Sequence, residues 1–287
     1  MTGKLWILGL GPGSETQVTP EVSAALALAT DILGYFPYVA RVPEREGLRR
    51  HGSDNRVELD RARHALVLAE QGHQVAMVSG GDAGVFGMAS AVFEAVENGP
   101  PEWAALDIQV LPGISAMFAA AARVGAPLGH DFCAISLSDN LKPWEVITRR
   151  LAAVAQAGFV IALYNPISKA RPWQLGAAFD LLRPLLPATT PVIFATAVTR
   201  PDEKIVIGTI ADARPEQADM RTLVMIGTAD TRLIPGRGTR WSTRPGGRCD
   251  ACANAPTVVI PAQAGIHSGA ARDVTMDPGL RRDDGWR

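Results

Sequence analysis

Along the first 240 positions apolar residues come in short runs closed by glycine or proline, and between the runs they recur at helical spacing. The runs at 4–11 (KLWILGLG), 31–36 (DILGYF), 74–81 (QVAMVSGG) and 107–115 (DIQVLPGIS) predict four strands. Helices are predicted between and after them at 19–29, 57–71, 89–98 and 116–124. The first carries Pro20 in its opening turn and the second stops at Gly72. Strands alternating with helices imply a parallel sheet with helices on its faces. A break follows at 125–129 (GAPLG), and the pattern then changes. FCAISLS, FVIALYN, PVIFATAV, KIVIGTI and TLVMIGT are five further strand candidates, with helices at 144–157 and 172–186. The close spacing of the last strands predicts hairpins and a mixed sheet. The chain is thus expected to be an α/β protein of two domains, 1–125 and 126–240, with a cleft between them. From about 241 onward arginine, glycine, proline and serine displace the periodic pattern, and 241–287 is expected to be a disordered tail. Part of it (VVIPAQAGIH…MDPGLRRDDG) resembles a translated repetitive genomic element, and trimming the chain after Arg240 is expected to leave activity intact.

Composition narrows the classes. The 287 residues carry a net charge of −1, with 47% hydrophobic and 20% charged residues. Such a chain builds a core and shows no basic excess for nucleic acid or charge block for a membrane surface. No apolar run is long enough to span a bilayer, and the apolar N-terminal run leads straight into glycine, as a first strand does and a signal peptide does not. Three cysteines, Cys133, Cys249 and Cys252, argue against a disulfide framework and for a reducing, cytoplasmic setting. The single CxxC formed by Cys249 and Cys252 is too few ligands for a metal site, and none is expected.

The richest segment for chemistry is 75–89, VAMVSGGDAGVFGMA. It reads as a buried strand, a tight glycine turn and a helix. Glycines at the carboxyl end of a strand let a ligand approach the backbone where open α/β sheets bind. Asp82 in that turn is either a hydrogen-bond acceptor for a ligand or a cap of the connection. The loop at 9–14, GLGPGS, invites a dinucleotide reading and fails it: Ser14 replaces the third glycine, Pro12 has no amide hydrogen, and Asp31 begins the second strand instead of ending it. His51, His64 and His73 are expected to be solvated on or near a helix surface. Trp144 and Trp173, each after a proline, are expected to pack at helix starts.

Four motifs stand in order: GLGPGS, SGGDAGVFGMA, LPGISA and LYNPISKARPWQL. Together they resemble the tetrapyrrole methyltransferases of corrin biosynthesis. The stretches GHDFCAISLSDNLKPWEVITRRL and DMRTLVMIGTADTRLI resemble the members that methylate ring carbon 17 of precorrin-3B and contract the ring. The resemblance covers roughly 4–240. It implies a two-domain fold with S-adenosyl-L-methionine folded into the cleft, leaving as S-adenosyl-L-homocysteine, and a homodimer. By motif position it implies that Gly80, Gly81, Asp82 and Val85 line the donor's amino-acid end. Ser115 and Ala116 lie near the donor, Tyr164 and Asn165 reach it from the second domain, and Ala195 and Thr228 join them. Gly11 and Pro12 face the tetrapyrrole. Lys169 and Arg171 suit its carboxylates, because arginine meets a carboxylate with two parallel hydrogen bonds. Ring contraction needs proton transfers, for which His130, Asp131, Asp139 and Lys169 are the candidates near matched motifs. Each has a plainer alternative as a linker, turn or solvated loop residue. A cobalt-bearing substrate, or a non-catalytic carrier of corrin intermediates, remains an alternative reading.

Overall fold

The computed structural model describes residues 3–54, 57–140, 142–168 and 170–234, with the strands Arg240–Thr243 and Val258–Ile260 beyond them. Strands β1 (Lys4–Gly9), β2 (Asp31–Tyr35), β3 (Arg49–Ser53), β4 (Gln74–Ser79) and β5 (Asp107–Leu111) form a parallel sheet in the order β3-β2-β4-β1-β5. Leu5 to Leu8 and Val75 to Val78 are buried without alternation, as strands covered on both faces are. One face packs Leu5, Ile7, Leu33 and Met77 under α3 (Glu58–Glu70) and α4 (Met88–Glu97). The other packs Trp6, Leu8, Ile32 and Val78 under α1 (Pro20–Leu28) and the single turn α2 (Phe36–Val39). Thr19 caps α1 by accepting a hydrogen bond from the Val22 amide at 3.3 Å. The chain leaves adjacent strands β1 and β4 in opposite directions, which opens a crevice at their carboxyl ends.

Strand β3 (RRHGS) carries no apolar pattern, and the four-strand expectation misses it. It is held by charge. Asp31 of β2 has no exposed surface. Its carboxylate pairs with Arg49 Nη2 at 2.7 Å, His51 Nε2 at 2.9 Å and His73 Nδ1 at 2.9 Å, and accepts from Thr30 Oγ1 at 2.8 Å. His51 and His73 are therefore not the solvated helix residues expected: His51 lies on β3, and both serve a buried carboxylate. Burial alone raises the Asp31 pKa, but the hydrogen bonds from Arg49, His51, Thr30 and His73 outweigh it and hold the carboxyl well below the usual carboxylate range. A depressed folded-state pKa stabilises the fold at any pH above the unfolded value of 3.8, and that contribution is lost as pH falls below it. Asp31→Asn is expected to cost about 2–3 kcal/mol at neutral pH, since it removes the charge that Arg49 pairs with and leaves the buried cluster one acceptor short. It should also flatten the decline in stability below about pH 4. Urea unfolding at pH 7 and at pH 3 checks both; an unchanged midpoint at pH 7 would contradict the account.

The helix after the first sheet, α5 (Ala116–Val124), runs directly into the two-residue strand β6 (Gly125–Ala126). Then β7 (Phe132–Ser136), β8 (Val160–Tyr164), β9 (Pro191–Thr196), β10 (Lys204–Thr209) and β11 (Thr222–Ile226) build the second sheet. Strands β7 and β8 pair parallel, and β8-β11-β9-β10 pair antiparallel, so the sheet is mixed as expected. One face is covered by α6 (Trp144–Gln156) and α7 (Gln174–Leu182), through Ile147, Leu151, Leu175 and Phe179. The other is covered by α5 itself, whose Met117, Ala119, Ala120 and Val124 pack on Ala162, Ile193, Ala195 and Met225. The small residues of α5 thus let the helix that leaves the first sheet lie close on the second.

Strand β12 (Thr231–Ile234) pairs with β13 (Arg240–Thr243), which also pairs with β6, and β14 (Val258–Ile260) pairs with β10. Two short strands therefore stand where composition predicts disorder. Trimming after Arg240 would therefore remove most of β13, which pairs with β6 and β12, and all of β14, which pairs with β10. Cys249 and Cys252 lie outside the described residues. Among the described residues no helix is long and apolar enough to cross a membrane, and no cluster of potential metal ligands occurs.

Candidate active site

Strands β1, β4 and β5 run into glycine-bearing turns at one edge of the first sheet, and these turns touch through their backbones. A methyl built on Gly113 would stand 2.3 Å from the Gly81 carbonyl oxygen, and one on Gly9 2.7 Å from the Gly113 nitrogen. Only glycine permits that approach. Gly81 has φ +66° and exchanges two backbone hydrogen bonds with Gly11, at 2.9 and 3.0 Å. Asp82 then ties two loops together. Its Oδ1 accepts from the Gly84 amide at 2.8 Å and its Oδ2 from the Gly113 amide at 2.9 Å. Asp82 is thus the brace of the turn, with each oxygen keeping capacity for one further donor.

The second sheet meets this edge through Tyr164, the last residue of β8. Its hydroxyl is hydrogen-bonded to Ser115 Oγ and accepts from the Met117 amide at 3.2 Å. Burial raises the Tyr164 pKa, the nearby Asp82 carboxylate adds to this, and the phenol stays protonated. With Ser115 engaged in this way, the first turn of α5 is uncapped by its own serine, and Ala116 and Phe118 offer amides with no helical partner. Phe86 packs on the Tyr164 ring at 5.1 Å, and Asn165 Nδ2 donates to Ser136 Oγ at 2.9 Å. Phe86, Asn165, Ala197 and Thr199 are the non-glycine residues with positive φ among those described, and all four lie on loops at this junction. Strained backbone gathers where function needs a fixed loop shape.

Gly80, Gly81, Asp82, Val85, Ser115, Ala116, Tyr164 and Asn165 are therefore brought to one junction. Ala195 is buried one residue before the end of β9, under α5. Thr228 follows β11, which runs antiparallel to β8, so it stands at the end of the second sheet away from Tyr164. His130 and Asp131 pair loosely at 3.6 Å before β7, also at the end away from Tyr164. Arg171 Nη1 is bound to Asp139 Oδ1 at 2.8 Å, Asn140 Oδ1 at 2.6 Å and Ser138 Oγ at 3.1 Å. The Arg171 bond holds the Asp139 carboxyl below its ordinary pKa. Lys169 lies outside the described residues. Trp144 and Trp173 pack edge to face at 4.9 Å where α6 and α7 begin, as expected of helix-start residues. Burial pushes the Cys133 thiol up to about 11, so it is no nucleophile at neutral pH.

Several residues here carry no motif. Arg41 donates to the carbonyls of Leu10, Gly11 and Gly13 at 2.5, 3.0 and 3.4 Å and pins the 9–14 loop from outside. Pro12, at the crest of that loop, is half-buried. The Tyr38 ring would lie 2.7 Å from a methyl on Gly80. Across the junction, Thr199 Oγ1 accepts from the Ser14 amide at 3.1 Å. Tyr38 and Arg41 lie in a stretch without periodicity, and Thr199 and Arg200 in what reads as a solvated turn, so residue patterns give no signal for them.

The family model for Tetrapyrrole (Corrin/Porphyrin) Methylases matches residues 4–214. The chain belongs to the tetrapyrrole methylases. The four-motif resemblance and the fold it implies are borne out. A tetrapyrrole methylase of Sinorhizobium sp, a precorrin-3B C(17)-methyltransferase, is 60% identical over 238 residues, covering 83% of this chain and 94% of that protein. A Salmonella typhimurium protein, "Probable cobalt-factor III C(17)-methyltransferase", is 40% identical over 233 residues, covering 81% of this chain and 95% of its own. The crystal structure of the methyltransferase CobJ superposes with a TM-score of 0.80 at 55% identity, covering 83% of this chain and 99% of that one.

Proposed function

We propose that this tetrapyrrole methylase transfers a methyl group from S-adenosyl-L-methionine to carbon 17 of precorrin-3B, with contraction of the ring, in cobalamin biosynthesis. The observation that carries the reading is the braced junction of glycine turns under Tyr164, in a chain 60% identical to a precorrin-3B C(17)-methyltransferase over 94% of that protein. The residues present fit the donor. Gly81 leaves backbone open to it while Gly80 admits the Tyr38 ring behind the turn, the free amides of Ala116 and Phe118 suit its carboxylate at a helix start, and the spare lone pairs of Asp82 suit its ammonium. When bound, the donor supplies an activated methyl on a sulfonium. The chain's own task is then positioning, worth about 7–11 kcal/mol of barrier when reacting atoms are held close and in line.

For the proton transfers of contraction, Arg171 holds the Asp139 carboxyl below its ordinary pKa, which rules it out as the acid and makes it a weak base. The Arg171 guanidinium in turn keeps donors beyond Nη1 for a substrate carboxylate. Gly11 and Pro12 are proposed to floor the tetrapyrrole side. We read the metal-free substrate as the true one because the 60% identical relative is named for it, whereas the 40% identical one is named for cobalt-factor III.

We further read the protein as a cytoplasmic homodimer. Val110, Ile114, Phe118 and Phe132 expose apolar surface on β5, the turn after it, α5 and β7, and Phe118 meets Phe132 edge to face at 6.2 Å. Light scattering is expected to give twice the chain mass, and a monomer mass would contradict this. Titration calorimetry with S-adenosyl-L-homocysteine tests the donor site: saturable binding of one ligand per chain is expected, and no binding would overturn the methyltransferase reading.

A further inference from the structure

The mouth of the 9–14 loop holds a cation that has no hydrogen-bonded partner among the described residues. Arg200 reaches it from the second sheet, with its Cγ 2.5 Å from where a methyl on Gly13 would stand. It is half-buried, and its guanidinium is close enough to act on the charge of Arg41 and the hydroxyl of Tyr38. Arg41 is committed to three carbonyls of the loop. The acids on the segment of Arg200 are committed as well. Asp202 pairs with Arg221 at 2.5 Å, though it also feels Arg200. Glu203 accepts from the Thr199 amide and pairs with Arg123 at 3.0 Å. Among the described residues no acceptor is hydrogen-bonded to the Arg200 side chain. Thr199, with φ +68° and its hydroxyl on the Ser14 amide, fixes the backbone from which Arg200 projects. Two like charges therefore meet at the mouth beside Pro12, one satisfied by carbonyls and the other left with donors to give.

We propose that Arg200 anchors a peripheral carboxylate of the tetrapyrrole at this mouth and so sets the seating of the substrate against the donor. The inference rests on the methyltransferase reading and deepens it. A guanidinium offers a carboxylate a two-pronged bond, and the carboxylate neutralises the repulsion between Arg200 and Arg41. Arg200 makes no bond within the donor junction of Asp82, Ser115 and Tyr164, so it acts on one ligand only.

The test is steady-state kinetics of the full chain and its Arg200→Gln and Arg200→Lys variants with precorrin-3B, alongside S-adenosyl-L-homocysteine affinity by calorimetry. Arg200→Gln is expected to raise KM for the tetrapyrrole about 10–100-fold, the worth of one charge-assisted bond, with homocysteine-product affinity unchanged. The rise of KM with salt should be shallower in this variant. Arg200→Lys should fall between, since it keeps the charge and loses the fork. An unchanged KM in Arg200→Gln overturns the proposal while wild-type turnover still upholds the methyltransferase reading. Equal loss of product affinity and thermal stability in both variants would assign Arg200 a structural role and also overturn it. Should Arg200→Gln fail to fold, Arg200→Lys decides alone: a raised KM at unchanged product affinity supports the anchor, and wild-type kinetics refute it. Absence of wild-type turnover and product binding would refute the underlying reading instead.

Discussion

Asp82→Ala is expected to weaken S-adenosyl-L-homocysteine binding roughly 100-fold and to lower kcat/KM for methyl transfer by at least as much. The carboxylate holds the Gly84 and Gly113 amides and so fixes the β4 turn against the β5 turn. Each charge-assisted bond is worth about 1.5–3 kcal/mol, and water recovers part of that once the side chain is gone, so a net loss of about 3 kcal/mol follows. Asp82→Asn keeps one accepting oxygen and turns an amide group toward the other donor, so it should fall between wild type and alanine. Affinity within threefold of wild type in Asp82→Ala would show that the loops hold their shape without the brace.

The second large effect is on stability. Gly113→Ala should lower the melting temperature by about 6–12 °C, from a cost near 3 kcal/mol at about 2–4 °C per kcal/mol for a chain of this size. Its new methyl would meet the backbone of Gly81 and Gly9 at 2.3–2.7 Å, where no flexible side chain can yield. Gly81→Ala makes the informative contrast. Its methyl has ordinary room, with Ala116 N nearest at 3.7 Å, and the cost is confined to the left-handed φ of +66°, about 1–2 kcal/mol. Differential scanning calorimetry of the two variants separates close approach from backbone strain. A larger loss in Gly81→Ala than in Gly113→Ala would reverse the assignment.

Much of this was legible in the chain because the sheets are covered on both faces. Runs such as 75–78 are then continuously apolar, and glycine punctuates their carboxyl ends where the site lies. The motif turns around Gly81, Asp82 and Ser115, and Tyr164 at the end of β8, follow from that punctuation. Strand β3 did not follow, because its residues Arg49 and His51 are selected to meet a buried carboxylate and carry no apolar period. The same long-range cluster explains why His51 and His73 read as solvated: their partner Asp31 lies 20 and 42 positions away. Arg41 and Arg200 were hidden for a related reason. The partners of Arg41 are backbone carbonyls of a distant loop, and Arg200 has no hydrogen-bonded partner among the described residues, so neither spacing nor composition marks them. Strands β13 and β14 lie in a polar tail, and their pairing comes from edges that the folded core leaves open.

The measurement that bears most directly on the account is incubation of the full chain with precorrin-3B and S-adenosyl-L-methionine carrying a labelled methyl, read by mass spectrometry and absorption. The account predicts a gain of one labelled methyl at carbon 17, conversion to the ring-contracted spectrum, and stoichiometric release of S-adenosyl-L-homocysteine. A protein that binds both ligands and returns precorrin-3B with no added methyl would contradict it.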